Sequence, residues 1–218
     1  MTATRRTGLR EQKKQATKEA LRAAALRLAL TRGPENVRVD DIAEAAGVSP
    51  RTYNNYFSSR EQAIVAAVTA DREARVAAAV ASPRPGVGLA EAVVEAVVEQ
   101  YTDPGERHRD ALLLITTRPA LRAAFLDTTG ELESPLADAI AGRLGDGGAL
   151  TALVLAASVA AAVRVALQQW TRPVAGSSTG LVVTSGPLPD LLRTALAPLA
   201  PALDAAGERT GGSGSPRG

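Results

Sequence analysis

Helix-forming residues run through nearly the whole chain, and glycine and proline interrupt them at only a few places. Alanine makes up about a fifth of the chain, and leucine, arginine and glutamate are plentiful. The two-residue alternation that is typical of strands is rare. The interruptions at 32–36, 82–88, 103–105, 145–148 and from 172 onward divide the chain into eight or nine predicted helices. We therefore expect an all-α protein.

The composition excludes several classes of site and segment. The chain has no cysteine, which excludes disulfides and thiolate metal sites and fits a reducing compartment. Residues 1–10 are not followed by the apolar run of a signal peptide. The longest nearly uncharged apolar run, 149–163, ends at Arg164 and is shorter than the roughly 20 residues of a membrane span. We expect a soluble, cytoplasmic protein with no membrane partner.

Positive charge is concentrated toward the N-terminal end. Residues 1–60 contain twelve Lys or Arg against six Asp or Glu, whereas the remainder contains thirteen against seventeen. Such an excess favours a nucleic acid as partner. Solvated helix faces produce similar counts, so the asymmetry leaves both explanations open.

The segment 39–57, VDDIAEAAGVSPRTYNNYF, has the pattern of a helix-turn-helix. The small side chain of Ala43 allows two helices to cross closely, and Gly47 can adopt the positive φ of a tight turn. Ser49 is a typical N-cap, and Pro50 fits the first position of the second helix. This pattern, close to a basic N-terminal end, predicts a DNA-binding domain.

Together with AALRLALTRG at 24–33, the segment 39–64 gives the sequence a clear resemblance to the TetR family of transcriptional regulators. The match covers about fifty residues in the family's order and spacing, whereas the rest of the chain resembles the family in layout only. The resemblance implies a homodimeric repressor with a C-terminal helical domain for ligand binding and dimerisation. Such a repressor leaves its operator when a small molecule enters that domain.

The resemblance and the breaks together predict four parts. We expect a flexible basic arm at 1–10, a helix-turn-helix domain at 11–58, a ligand-binding and dimerisation domain at 59–205, and a disordered tail at 206–218. Arg5, Arg6 and Arg10 of the arm either lie along a neighbouring DNA groove or only keep the chain soluble.

Helical spacing assigns two faces to the second helix of the motif. Tyr53 and Phe57 are four residues apart and should pack inward with Val48. The remaining side chains can face a major groove, where arginine pairs with guanine and asparagine with adenine. We predict base contacts from Arg51, Thr52, Asn54 and Asn55. We predict phosphate contacts from Arg38, Ser49, Tyr56 and Arg60.

Two of these residues depart from the family's usual pattern. Asn54 stands where the family commonly has an aromatic residue, and Arg38 stands where a threonine often caps the first helix of the motif. The resemblance therefore implies a DNA target that differs from those of most relatives. The alternative for the two asparagines is an indifferent surface.

The C-terminal helices are rich in alanine, valine and leucine, which favours an apolar cavity for a small, largely apolar effector. A filled core has the same pattern. The candidate effector contacts are His108, Leu113, Phe125, Arg164, Gln168 and Trp170. The helices at 149–171 and 187–205 are long and apolar, and we expect them to form a four-helix seam between two copies.

Features that resemble catalytic or metal sites have simpler explanations. GSSTG at 176–180 matches a nucleophile elbow but follows no apolar strand, and His108 is the single histidine. Glu91, Glu95 and Glu99 repeat every four residues, as a solvated helix face does. We expect no enzyme, cofactor or metal. The alternative function is a constitutive DNA-binding protein without an effector.

Overall fold

The computed structural model of the chain describes residues 2–69, 72–102, 109–145, 147–172 and 187–211. Within these ranges the predicted all-α class is confirmed. The helices are α1 (Thr2–Arg32), α2 (Val39–Ala45), α3 (Pro50–Tyr53), α4 (Arg60–Thr69), α5 (Arg72–Ala81), α6 (Leu89–Thr102), α7 (Arg109–Thr117), α8 (Pro119–Asp127), α9 (Glu133–Leu144), α10 (Ala149–Trp170), α11 (Leu188–Leu196) and α12 (Ala200–Gly211). Short 3-10 turns lie at Pro34–Asn36, Thr128–Leu132 and Ala197–Leu199.

The described helices outnumber the eight or nine that the glycine and proline clusters predict. Single prolines account for part of the difference, because proline lacks an N–H group and cannot continue a helix. Pro119 begins α8 directly after α7, and Pro198 lies in the 3-10 turn that separates α11 from α12. The helix expected at 187–205 is therefore two helices.

The chain forms two compact units. The first comprises residues 1–70 and 107–125, and the second comprises residues 71–106 and 126–218. The expected boundary lay between 58 and 59, but α4 and the segment that contains α7 cluster with the N-terminal helices.

In the first unit, α1 packs along α4 and against α2. Leu21, Ile42 and Ile64 are fully buried in this core. The backbone is helical from Thr2, so residues 2–10 belong to α1 instead of forming a separate flexible arm. The helix ends where Gly33 takes a φ of +79° and Pro34 follows.

In the second unit, α10 packs against both α9 and α11, and α5 packs against α6 and α9. By length and composition α10, with 22 residues, is also apolar enough to cross a membrane, although a buried core helix meets the same criteria. The helix continues well past the uncharged run at 149–163, which corrects the expectation that this segment is too short for a span.

The end of the chain is more ordered than expected. α12 extends to Gly211, so residues 206–211 are helical, and residues 212–218 lie outside the described part. α12 packs against α6, where the Oδ1 of Asp204 accepts a hydrogen bond from the backbone N–H of Ala90 at 3.2 Å. Ala90 is in the first turn of α6, and Gly88 before it has no side chain to cap that turn. Asp204 therefore caps α6 from a distant helix.

We predict that Asp204→Ala lowers the free energy of unfolding by about 1 kcal/mol, because it leaves a helix-terminal N–H group unpaired. Urea unfolding followed by circular dichroism measures the change. Asp138→Ala is the matched control, because Asp138 is an exposed aspartate within α9. Equal effects of the two substitutions would contradict the capping role.

Candidate nucleic-acid interface

The turn between α2 and α3 is fixed by backbone hydrogen bonds that require a glycine. The N–H of Gly47 donates to Glu44 O at 3.0 Å, and the N–H of Val48 donates to Ala43 O at 2.9 Å. These two bonds end α2 in a common C-capping motif, in which the first residue after the helix end takes a positive φ. Here that residue is Gly47, whose φ is 70°. No neighbouring atom lies within 4 Å of a Cβ built at Gly47, so the constraint is the backbone angle and not space.

The second helix of the motif, α3, is the predicted recognition helix, and it is short. Ser49 caps it by accepting a hydrogen bond from the N–H of Thr52 at 3.1 Å, as predicted for this N-cap. Regular α-helix ends at Tyr53. The N–H groups of Asn55 and Tyr56 donate to the carbonyl groups three residues before them, whereas an α-helix would use those four residues before. The segment was expected to stay helical through Phe57. Asparagine is a poor residue for a helix interior, which explains the early end.

Tyr53 anchors this short helix. Its side chain is fully buried, and its hydroxyl donates to Ser59 O at 2.7 Å. Its ring lies 5.8 Å from that of Phe57, which is also buried. The inward packing predicted for both residues is confirmed. Burial, with a smaller contribution from the charge of Glu61, raises the pKa of Tyr53 to about 12, so the hydroxyl remains a donor at neutral pH.

Three of the four predicted base-contacting side chains are exposed on this frame. They are Arg51, Asn54 and Asn55. The fourth, Thr52, is half-buried, and its hydroxyl lies 2.9 Å from that of Ser49. Arg51 forms no ion pair within the described residues. The exposed amides and guanidinium have the donors and acceptors that base edges require.

The predicted phosphate contacts have different surroundings. Arg38 is exposed at the start of α2, where its backbone N–H donates to Asp41 Oδ2 at 2.9 Å and its guanidinium has no ion pair in the described part of the chain. Asp41 thus supplies the capping interaction that Arg38 cannot. Ser49 is exposed but its hydroxyl is used in the cap of α3, and Tyr56 is half-buried.

Arg60 is engaged within the protein. Its Nη1 donates to Glu35 O at 3.1 Å and to Val37 O at 2.9 Å. Its Nε donates to Glu61 Oε1 at 2.7 Å. The side chain is 34% exposed. The side chain is therefore folded back onto the turn before α2.

Comparison with known families identifies both parts of the chain. Residues 21–67 match the family of bacterial regulatory proteins called the tetR family, and residues 84–204 match the MftR C-terminal domain. The second match alone covers more than half of the chain. The chain belongs to the TetR family of transcriptional regulators.

Two individual proteins are similar to this TetR-family regulator. The HTH-type transcriptional regulator TcmR of Streptomyces glaucescens is 34% identical over 147 residues, which are 63% of this chain and 65% of TcmR. The match thus spans slightly less than two thirds of that relative. The crystal structure of Thermus thermophilus FadR, a TetR-family repressor in complex with lauroyl-CoA, is 22% identical with a TM-score of 0.48, over 92% of this chain and 100% of FadR.

The predicted effector contacts in the first unit differ in burial. Leu113, on α7, is 65% exposed. Phe125, near the end of α8, is buried and belongs to the core. His108 lies outside the described residues, as do the residues of the GSSTG segment at 176–180.

The other three predicted effector contacts lie in the C-terminal half of α10. Arg164 donates through Nη1 to Leu126 O at 3.1 Å, and its guanidinium pairs with Asp127 at 3.3 Å. Gln168 is exposed and Trp170 is half-buried. Arg164 thus binds the end of α8, and Gln168 faces solvent.

A cluster of buried polar residues in the second unit escaped the sequence predictions. The guanidinium of Arg72 is bonded to Glu73 at 3.0 Å and to the hydroxyl of Thr128 at 3.3 Å, and its carbon lies 3.8 Å from the centre of the Tyr101 ring. All four residues are buried. The pair Arg72–Glu73 at the start of an alanine-rich helix was the available signal, but adjacent opposite charges are common on solvated helices.

The hydroxyl of Tyr101 is buried and forms no hydrogen bond of good geometry within the described residues, although the guanidinium of Arg72 lies beside it. Burial raises the pKa of Tyr101, and Arg72 opposes this shift through its positive charge and, more weakly, through its N–H groups. The hydroxyl therefore remains neutral and able to donate. A buried polar group without a well-formed hydrogen bond costs free energy, so this hydroxyl calls for a physical explanation.

A surface groove of about 440 Å³ lies between α5 and α6 in the same unit. Glu95 and Glu99 of the acidic stripe lie along it. The Nη2 of Arg84 binds both carboxylate oxygens of Glu95, at 2.6 and 2.8 Å. Arg84 and Glu95 are both well exposed, so this part of the stripe is a solvated ion pair.

Removing the hydroxyl from each of two buried tyrosines should change stability differently. Tyr53→Phe deletes the bond to Ser59 O, and we predict a loss of about 1 kcal/mol in the free energy of unfolding. Tyr101→Phe deletes an unpartnered hydroxyl, and we predict no loss. Thermal and urea unfolding of both variants measure the two changes. A loss for Tyr101→Phe as large as that for Tyr53→Phe would show that its hydroxyl is bonded in the folded protein.

Proposed function

We propose that the protein is a homodimeric repressor that acts in the cytoplasm and binds a palindromic double-stranded DNA operator. A small, largely apolar effector that binds in the C-terminal helices releases it. The observation that carries this proposal is the anchored helix-turn-helix, which exposes Arg51, Asn54 and Asn55 next to one another. Membership of a family of transcriptional regulators supports it.

The electrostatics of α1 support attraction to DNA. Arg10, Lys13 and Lys14 are exposed and Lys18 is half-buried, and none of the four forms an ion pair within the described residues. Cations that are not neutralised by neighbouring carboxylates contribute directly to the potential that attracts a phosphate backbone.

The outer face of α10 supports dimerisation. Leu150, Leu153, Val154 and Val165 are 57–74% exposed, although the opposite face of the helix is buried against α9 and α11. Helical spacing places these four on one stripe with the small residues Ala157 and Ala161, which are also exposed. An apolar stripe with small residues at its centre lets a second copy of the same helix approach closely.

The second unit supports the effector. Its helices supply apolar side chains, and Tyr101 adds a neutral hydroxyl that lacks a partner among the described residues. Ligand sites are mostly apolar with a few polar groups that orient the ligand. We propose that Tyr101 is one such group. In a dimer, the two recognition helices must be separated by the distance between successive major grooves on one face of the DNA. An effector that binds better to a conformation with another separation would therefore weaken operator binding.

Base reading can be tested on a duplex selected by the wild-type protein from a random pool. We predict that Asn55→Ala weakens binding by about 1–3 kcal/mol per half-site and relaxes the preference at one base position, because one paired contact is lost. Mobility-shift titrations of single-base duplex variants measure both effects. Asn36→Ala is the matched control, since Asn36 is exposed but bonds to Arg32 O within the protein. If Asn55→Ala and Arg51→Ala both leave binding unchanged, the recognition helix is misassigned.

Dimerisation can be tested on α10. We predict that Leu153→Glu shifts the protein from dimer to monomer in analytical ultracentrifugation, because the seam would have to bury a carboxylate. Binding to a palindromic duplex should weaken in parallel. Leu113→Glu is the matched control, since Leu113 is similarly exposed but lies on α7. A dimer that survives Leu153→Glu but not Leu113→Glu would place the seam elsewhere.

The alternative is a constitutive DNA-binding protein without an effector. The helix-turn-helix supports it equally, because nothing in that motif depends on a ligand. A broad panel of small molecules added to the preformed complex with the selected duplex separates the two. Release by some compounds, reduced in Tyr101→Phe, supports the repressor proposal, whereas retention with every compound supports the alternative.

A further inference from the structure

Two separate stretches of the helix-turn-helix are bonded to the beginning of α4. The first stretch is the turn between α1 and α2. Its carbonyl groups at Glu35 and Val37 accept hydrogen bonds from Nη1 of Arg60. The recognition helix presents the hydroxyl of Tyr53, which bonds to the carbonyl of Ser59 at 2.7 Å. One connection therefore uses the carbonyl group of Ser59 and the other uses the side chain of Arg60, the next residue.

The start of α4 is itself held rigidly. The N–H and hydroxyl of Ser58 both donate to Gln62 Oε1, at 2.7 and 3.0 Å. The hydroxyl of Ser59 accepts from the N–H of Gln62 at 3.1 Å. These reciprocal bonds cap the helix from both sides, so its first turn is a fixed platform for the two connections.

The geometry of Arg60 suits this connection. A guanidinium is planar, so the N–H groups of Nη1, which bind both carbonyl oxygens, and that of Nε point in directions fixed relative to one another, whereas an ammonium is a compact charge on a flexible stem. Glu61 accepts from Nε at 2.7 Å and fixes the plane from the other edge. Burial raises the pKa of Glu61, but hydrogen bonding and the charge of Arg60 outweigh it and lower the pKa overall, so the carboxylate stays ionised.

We propose that Arg60 is a positioning residue for base recognition and not a phosphate contact. With Tyr53, it holds the turn before α2 and the recognition helix on the first turn of α4. Base reading then requires Arg60 although Arg60 does not touch DNA. The inference rests on the proposed DNA-binding function and names a role for Arg60 within it.

A positioning role and a phosphate contact have opposite consequences for salt dependence and specificity. Loss of a phosphate contact weakens binding to every duplex and reduces the slope of log affinity against log salt by about 0.9. Loss of a positioning bond disturbs base contacts, which need close geometry, but leaves the number of neutralised phosphates unchanged. Specific binding then weakens while binding to random DNA does not.

The test uses the full chain, the duplex selected by wild-type protein and a random duplex of equal length, across a salt series. Arg60→Lys keeps the charge but lacks the planar fork. We expect it to lose on the order of ten-fold in affinity for the selected duplex, with unchanged affinity for the random duplex and an unchanged slope. Arg38→Gln is the comparison variant, and we expect it to weaken both duplexes and flatten the slope.

Tyr53→Phe provides a second variant without any change of charge. It removes the other connection to α4, and we expect it also to reduce the preference for the selected duplex at an unchanged salt slope. All titrations are carried out well below the melting temperature of each variant, measured by circular dichroism. Loss of folded protein would weaken both duplexes in proportion, which separates it from loss of positioning.

Two results would overturn the inference. One is full retention of specific affinity in Arg60→Lys together with a flattened slope on both duplexes in Arg60→Gln, which is the behaviour of a phosphate contact. The other is an unchanged preference in both Arg60→Lys and Tyr53→Phe. Failure of the proposed function looks different, because wild-type protein would then show no preference for any duplex.

Discussion

The burial of Tyr53 is the interaction on which the recognition surface depends. α3 has only four residues of regular helix, and a helix of that length is not stable by itself. Tyr53 is fully buried and bonded to Ser59 O, so it fixes the backbone from which Arg51 and Asn55 project on either side. The directions of these exposed side chains are therefore set by packing inside the first unit and not by helix propensity.

The parts of this motif that are encoded locally could be predicted from the sequence. Gly47, with its positive φ, and Ser49, with its capping hydroxyl, act on residues at most four positions away. The contacts of Arg60 could not be predicted in this way. Its acceptors at Glu35 and Val37 lie 25 and 23 residues away, and a sequence pattern does not show which carbonyl groups are left without partners near a distant helix.

The second unit shows the same limit for an apolar helix. α10 is apolar on nearly all sides, so its sequence predicts burial but not which side stays uncovered. That depends on where α9 and α11 pack, and they leave the stripe of Leu150, Leu153 and Val154 exposed. The buried hydroxyl of Tyr101 is equally a tertiary property, because tyrosine in an amphipathic helix gives no indication that its hydroxyl lacks a partner.

The positioning role that we propose for Arg60 separates two tasks of the basic N-terminal end, attraction of DNA and recognition of bases. Attraction needs charge but no fixed geometry, since it acts over the roughly 8 Å screening length of physiological salt. Arg10, Lys13 and Lys14 on α1 have that character, because they are exposed and without ion pairs in the described part of the chain. Recognition of bases needs side chains held within hydrogen-bonding geometry. The guanidinium of Arg60 is bound to fixed carbonyl groups, so it has the fixed geometry that recognition needs. We therefore expect the salt dependence of binding and the sequence preference to depend on different residues.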